Sequence, residues 1–268
     1  MLSHLRKAGG VTLALRAGAA VVAVVGLKLA AHAVGWEILS LNALLSGIVA
    51  ADVFLMGFLL SGVLADYKES EKLPGELAAS LELLADEAAA AYERSKNAVA
   101  LDVLNGVRGL AESIRAWFYK KERTGVLLES VSGLDRHFLA LEPLAQTGGI
   151  PRMKQEQQLI RRTLTRIHTI RETSFISSGY LIAELTTALL GVALILTKFD
   201  PLSESLFIVG VVMFLLAFLL FLIRDLDNPF GYYEANSGEE VSLKPLEDAM
   251  ARIAARAAKL APTGTKKP

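Results

Sequence analysis

Four long apolar segments are separated by stretches of mixed polarity along the chain. They cover residues 11–34, 38–64, 180–196 and 206–223. A helix needs about 20 largely apolar residues to cross the hydrocarbon core of a bilayer. The pattern therefore predicts four transmembrane helices.

The residues between the second and third apolar segments follow a different pattern. Their apolar positions recur every three or four residues, which is typical of amphipathic helices packed on one another. Three such stripes are Leu77, Leu81, Leu84, Ala88 and Tyr92; Val99, Val103, Val107, Leu110, Ile114, Trp117 and Phe118; and Ile160, Leu164, Ile167 and Ile170. Glycines and prolines in residues 140–151 separate the second stripe from the third. Residues 241–260 predict a terminal amphipathic helix.

No segment alternates apolar and polar residues as a half-buried strand would, so the sequence predicts an all-α integral membrane protein. We expect a first transmembrane hairpin in residues 1–64 and a helical cytoplasmic domain in residues 65–177. A second transmembrane hairpin in residues 178–224 and a cytoplasmic C-terminal tail in residues 225–268 complete the predicted architecture.

The distribution of Lys and Arg predicts the orientation. Nearly all of them lie at the N-terminus, in the middle region and in the C-terminal segment, whereas the two short turns contain only Lys198. The positive-inside bias therefore predicts a multi-pass protein of the cell membrane with both termini in the cytoplasm. A secretory signal peptide is the alternative for the first segment, with Ala31-His32-Ala33 as a cleavage-like site. The length of that segment, and Lys28 late within it, favour an uncleaved transmembrane helix.

The composition excludes several classes of function. The 28 Lys and Arg balance the 28 Asp and Glu, which gives no reason to expect nucleic acid as a partner, while a hydrophobic fraction of 53% fits contact with membrane lipid. Because the chain has no cysteine, disulfides and thiolate chemistry are excluded. The four histidines are scattered, and neither a phosphate-binding glycine loop nor a hydrolase motif appears. We therefore expect no enzyme, no metal site and no cofactor.

Four charges interrupt the apolar segments. Charges within a bilayer are costly and usually face a partner or water. A rise of about 1.5 Å per residue places Lys28 and Asp52 at similar depths, and Arg16 close to the depth of Glu184. We predict these as two intramembrane ion pairs. Direct ion conduction past Asp52 is the alternative.

The second apolar segment contains a row of residues spaced by one helical turn: Ala50, Phe54 and Phe58. Asp52 lies two positions from Ala50 and from Phe54, which is about 200° around a helix of 3.6 residues per turn. It therefore faces away from the row. A pore-lining helix would have this pattern, and so would a membrane anchor with a helical stalk. Residue types alone favour the anchor.

Short motifs in the chain resemble those of the bestrophin family, in its bacterial and bestrophin-like branches. Residues 53–58 resemble the Phe-x-x-Gly-Phe neck of the family's second helix, although the family's following Arg-Trp-Trp is missing. Residues 171–176 resemble the start of its third span. Asp227-Asn228-Pro229-Phe230-Gly231 is similar to the Asn/Asp-Pro-Phe-Gly after the fourth span, and residues 243–249 are similar to the next motif. The acidic calcium clasp of animal members is replaced here by Tyr232-Tyr233-Glu234-Ala235.

The resemblance implies a homopentamer around a central pore that is lined by the second helix. Ala50, Phe54 and Phe58 would form the neck of that pore, and Ala50 is smaller than the branched residue that the family has there. Passive flow of ions is implied, with chloride or another anion first and cations second. A non-conducting, membrane-anchored interaction protein that binds a partner through its cytoplasmic helices is the alternative. A secondary transporter is disfavoured because no inverted repeat or broken helix is apparent.

Overall fold

A computed structural model describes residues 2–40, 42–172, 177–198, 200–233 and 240–261 of the chain, with side chains from residue 10 onward except that of Ser177. The helices are α1 (Leu2–Val34), α2 (Ala43–Ser70), α3 (Leu73–Ser95), α4 (Ala98–Phe118), α5 (Thr124–Leu141), α6 (Gly149–Glu172), α7 (Ser177–Leu196), α8 (Leu202–Leu226) and α9 (Lys244–Leu260). A 3₁₀ turn covers Glu142–Leu144, and two short strands are β1 (Leu39–Ser40) and β2 (Thr197–Lys198).

Four helical stretches in the described part of the chain are long and apolar enough to cross a membrane. They are Gly10–Val34, Ala43–Ser95, Ser178–Leu196 and Leu202–Leu226, of which the second includes both α2 and α3. Three of the predicted apolar segments are helical throughout, and the fourth, residues 38–64, is helical from Ala43 onward, which supports a membrane location. The predicted second helix begins later than expected, at Ala43, because the side chain of Asn42 caps it by accepting a hydrogen bond from the backbone amide of Leu45 at 2.9 Å.

The contacts divide the chain into two compact units. The first contains residues 1–68, 173–229 and 236–240, and the second contains residues 69–172, 230–235 and 241–268. In the first unit, α1 packs against α7 and α8, and α7 packs against α8. Two apolar clusters that also include α2 form its core: Leu45, Leu190, Leu194, Val209, Met213 and Leu216; and Met56, Leu59, Val63, Ala183, Ile223 and Leu226.

The expectation of a purely helical protein misses one feature of the first unit. Leu39 of β1 pairs with Thr197 of β2, and Ser40 pairs with Lys198, in parallel orientation. Each strand is only two residues long, which is too short for the alternating pattern that predicts a strand. The pairing joins the segment that precedes α2 to the end of α7.

The second unit is a bundle in which α3 packs against α4, α6 and α9, while α5 packs against α4 and α6. Nearly all residues of the three predicted apolar stripes are buried in this bundle, which confirms that the stripes form its core. The 3₁₀ turn and Gly148, with a φ of 86°, interrupt the chain between α5 and α6 as predicted. The terminal helix begins at Lys244 instead of residue 241 and is tied to α3 by ion pairs of Arg252 with Glu82 and of Arg256 with Asp86.

Candidate functional site

Helix α2 has a packed face and a face that contacts no other part of the described chain closely. The packed face contains Leu45, Met56, Leu59 and Val63, which are buried in the two apolar clusters. The other face contains Phe54 and Phe58, whose exposed fractions are 77% and 61%, together with the small exposed residues Gly47, Ala50, Ala51, Gly57 and Ser61. A helix that is long and apolar enough to cross a membrane therefore presents an aromatic and small-residue face away from its own chain.

Asp52 lies on the packed face, as its helical phase predicts. Its exposed fraction is 4%. One carboxylate oxygen accepts a hydrogen bond from the hydroxyl of Thr186 at 2.5 Å, and the other accepts one from the hydroxyl of Thr187 at 3.2 Å. Both threonines belong to α7. The carboxylate thus connects α2 to α7 at a buried position.

The predicted ion pair between Lys28 and Asp52 is wrong. Lys28 is fully buried, and its ammonium nitrogen lies 2.5 Å from a carboxylate oxygen of Glu37. The same nitrogen donates hydrogen bonds to the carbonyls of Ile195, at 3.2 Å, and of Thr197. Counting residues along the helix axes gives similar depths for Lys28 and Asp52. It does not give the direction of each side chain around its helix, and that direction decides which residues the side chain contacts.

The turn after α1 explains why Glu37 reaches Lys28. Gly35 has a φ of 75°, a conformation that glycine adopts without strain. The backbone amide of Trp36 donates to the carbonyl of Ala31 at 2.9 Å, so the chain folds back along the end of α1. Glu37 is thereby directed toward the helix that it has just left, and its side chain is only 7% exposed.

Glu37 also contacts His32, whose Nδ1 lies 2.8 Å from the second carboxylate oxygen. The Lys28 ammonium, and after it the His32 ring, hold the pKa of the Glu37 carboxyl below its ordinary value. Since Lys28 also binds the carbonyls at the end of α7, this cluster fastens the turn after α1 to the turn after α7. The cluster includes no residue of the exposed face of α2.

The predicted pair of Arg16 with Glu184 is also wrong. Glu184 forms an ion pair with Arg224, near the end of α8. Arg16 is exposed and forms no ion pair with any residue that the structure describes. Depth along the membrane does not give the direction of a side chain around its helix: α7 packs against both α1 and α8, and Glu184 contacts Arg224 of α8.

The motif after the fourth span lies at the end of α8. The helix ends at Leu226, Asp227 caps it, and Phe230 is fully buried within the second unit. The ring centroid of Phe230 lies 5.8 Å from that of Phe118, and the ring of Tyr232 packs edge-on against Phe118 at 5.9 Å. Phe230 is therefore part of the core of the second unit together with Phe118.

Tyr233, the second residue of the segment Tyr232-Tyr233-Glu234-Ala235, binds the side chain of Lys120. The ammonium of Lys120 lies 3.6 Å from the ring centroid of Tyr233. Residues 234–235 of the same motif, and residues 173–176 of the motif before the third span, lie outside the described residues.

Sequence reasoning missed four polar residues of the first unit as partners: Glu37, Thr186, Thr187 and Arg224. Adjacent threonines in an apolar segment can donate hydrogen bonds to a buried carboxylate, so the pair was a signal for the partner of Asp52. Glu37 was assigned to a turn and was therefore not considered as a partner for a residue inside a span. Its position depends on the fold of that turn.

Comparison with known proteins was made for both sequence and structure. No protein-family model and no curated protein matches the sequence. A bacterial bestrophin homolog from Klebsiella pneumoniae matches the structure with a TM-score of 0.71 at 13% identity, covering 92% of this chain and 98% of the other. A point variant of that homolog gives a TM-score of 0.74 at 14% identity, with 89% and 97% covered. The chain therefore has the bestrophin fold, and the resemblance seen in the sequence is confirmed at the level of the fold.

Proposed function

We propose that the protein is an ion channel of bestrophin type, in which five copies surround a pore lined by α2. One observation carries the proposal: α2 packs one face against its own chain and leaves Phe54 and Phe58 exposed on the other. In a homo-oligomer arranged around α2, these residues would face the axis. Both termini and the middle helical domain would then lie in the cytoplasm, with two transmembrane hairpins, as the Lys and Arg distribution predicts.

The composition of the exposed face suits a narrow part of a pore. Phe54 and Phe58 are one turn apart, so their rings would form two apolar layers about 6 Å apart along the axis. The buried carboxylate of Asp52 is turned away and contributes no charge to the face. Hydrophobic constrictions of this kind gate ion flow by excluding water. Small residues at positions 47, 50, 51 and 57 allow neighbouring helices to approach closely.

We propose passive flow of small ions, with chloride or another anion as the first candidate because the resemblance implies it, and cations as the second. Planar-bilayer recording of the purified protein under a salt gradient tests the proposal and gives the sign of the permeant ion from the reversal potential. A particle mass of about 144 kDa, five times the 28.8 kDa of one chain, is expected in detergent. A monomer without current would contradict the channel and favour the membrane-anchored interaction protein.

A further inference from the structure

We propose that Asp52 is a positioning residue: it fixes the rotation of α2 about its axis and thereby the direction of Phe54 and Phe58. This inference rests on the proposed pore. It adds a means by which the pore would open, namely the reversible release of a buried contact between α2 and α7.

The contact is suited to fixing a rotation because it has two points of attachment. The two carboxylate oxygens of Asp52 accept from two consecutive residues of α7, Thr186 and Thr187. A carboxylate that is held at both oxygens cannot follow a rotation of α2 without losing at least one hydrogen bond. Water cannot replace that bond easily, since Asp52 is almost fully buried, with an exposed fraction of 4%.

Asp52 lies on the opposite side of α2 from the aromatic row. The angle between Asp52 and Phe54 is about 200° at 3.6 residues per turn. Any rotation of α2 about its axis that moves the carboxylate away from Thr186 and Thr187 therefore turns the rings of Phe54 and Phe58 through the same angle. The buried contact and the exposed constriction are coupled through one rigid helix.

One half of the contact can also be released without leaving the Thr186 hydroxyl unpaired. The hydroxyl of Thr186 lies within hydrogen-bond distance of three acceptors: Asp52 at 2.5 Å, the carbonyl of Ile182 at 2.9 Å and the carbonyl of Ala183 at 3.2 Å. A hydroxyl has one proton to donate. When it turns to the carbonyl of its own helix it remains hydrogen-bonded, while Asp52 keeps Thr187. The two arrangements of Thr186 give α2 a held state and a released state.

The first test compares gating in three variants. Asp52→Leu removes both hydrogen bonds, and we expect the ratio of open to closed channels in bilayers to rise about tenfold, which corresponds to about 1.4 kcal/mol. Asp52→Asn keeps an oxygen acceptor and an amide donor at the same place and should leave the ratio near that of the wild type. Thr197→Val is the matched control, because the Thr197 hydroxyl bonds only the carbonyl of Ala193 within the described residues, at 2.6 Å. An unchanged or lower ratio in Asp52→Leu would overturn the inference.

The second test measures the rotation itself and needs no current. The chain has no cysteine, so a single cysteine can be introduced in place of Ala51 or of Ser61. These two positions lie on the two sides of the row formed by Phe54 and Phe58, about 80° apart around α2. In detergent, the ratio of their labelling rates with a water-soluble thiol reagent should change in Asp52→Leu and stay unchanged in Asp52→Asn. Should Asp52→Leu not fold, Thr186→Val combined with Thr187→Val removes the same contacts.

The two tests separate the two proposals. A wild-type protein that passes no current contradicts the proposed pore, whereas the labelling ratio still decides whether Asp52 sets the rotation of α2. A labelling ratio that is the same in wild type, Asp52→Leu and the threonine variants would refute the positioning role even if the protein conducts.

Discussion

The ion pair of Lys28 with Glu37 gives the sharpest prediction about stability. Lys28→Met removes an ammonium that is fully buried and that contacts Glu37 at 2.5 Å and the carbonyl of Ile195 at 3.2 Å. Within the described part of the chain, Glu37, which is 7% exposed, then keeps only His32 as a partner. Breaking a buried pair by removing one member costs about 3–5 kcal/mol, because the other charge stays buried without compensation. We expect the melting temperature in detergent to fall by about 10 °C.

A double-mutant cycle shows which acid is the partner. Lys28→Met combined with Glu37→Gln should be less destabilised than the sum of the two single variants by at least about 1 kcal/mol, since contacting residues couple. Lys28→Met combined with Asp52→Asn should be additive within about 0.5 kcal/mol, because among the described contacts Lys28 pairs with Glu37 whereas Asp52 accepts from Thr186 and Thr187. Coupling of Lys28 to Asp52 but not to Glu37 would refute the assignment of partners. A loss below about 1 kcal/mol for Lys28→Met would show that the pair does not hold the turn.

Three further outcomes are expected, for Glu37, for Phe230 and for Arg224. The pKa of the Glu37 carboxyl is lowered in the folded chain. The stabilisation that Glu37 provides is therefore present above the carboxyl's ordinary pKa of about 4.3 and is lost as pH falls through the lower pKa of the folded state. Glu37→Gln should make the melting temperature depend less on pH in the acid range. Phe230→Ala should cost about 3–5 kcal/mol because the ring is fully buried, whereas Leu139→Ala, at a position 71% exposed, should leave thermal unfolding unchanged. Arg224→Ala should destabilise the protein by about 1 kcal/mol and Arg16→Ala by less, and equal effects would argue against the Arg224 ion pair.

The periodic parts of the fold were predictable from the sequence. Leu77, Leu81 and Leu84 fall every three to four residues and are all fully buried, because a helix that packs on a neighbour needs an apolar stripe along one side. The same periodicity placed Asp52 opposite Phe54, since the relation between two residues of one helix depends only on their separation. The predicted division into residues 1–64, 65–177, 178–224 and 225–268 stays a prediction about topology.

Contacts between elements were not predictable in the same way. The partner of Lys28 depends on a turn in which Gly35 adopts a positive φ and redirects Glu37. The partners of Asp52 depend on the rotation of α7 relative to α2, which brings Thr186 and Thr187 to the carboxylate. Depth in a membrane is one coordinate, and side-chain partners require the angle around each helix as well. Sequence spacing supplies that angle within a helix only.

The constriction proposed for the two phenylalanines is tested by the current through Phe54→Ala combined with Phe58→Ala. Both side chains are exposed in the chain, so removing them should leave thermal stability near that of the wild type. Phe207→Ala is the matched control, because Phe207 is 72% exposed on α8 and lies outside the proposed pore. In planar bilayers we expect a larger conductance or open probability for the double variant and wild-type currents for Phe207→Ala. Wild-type currents from the double variant, with a loss of stability, would contradict the constriction.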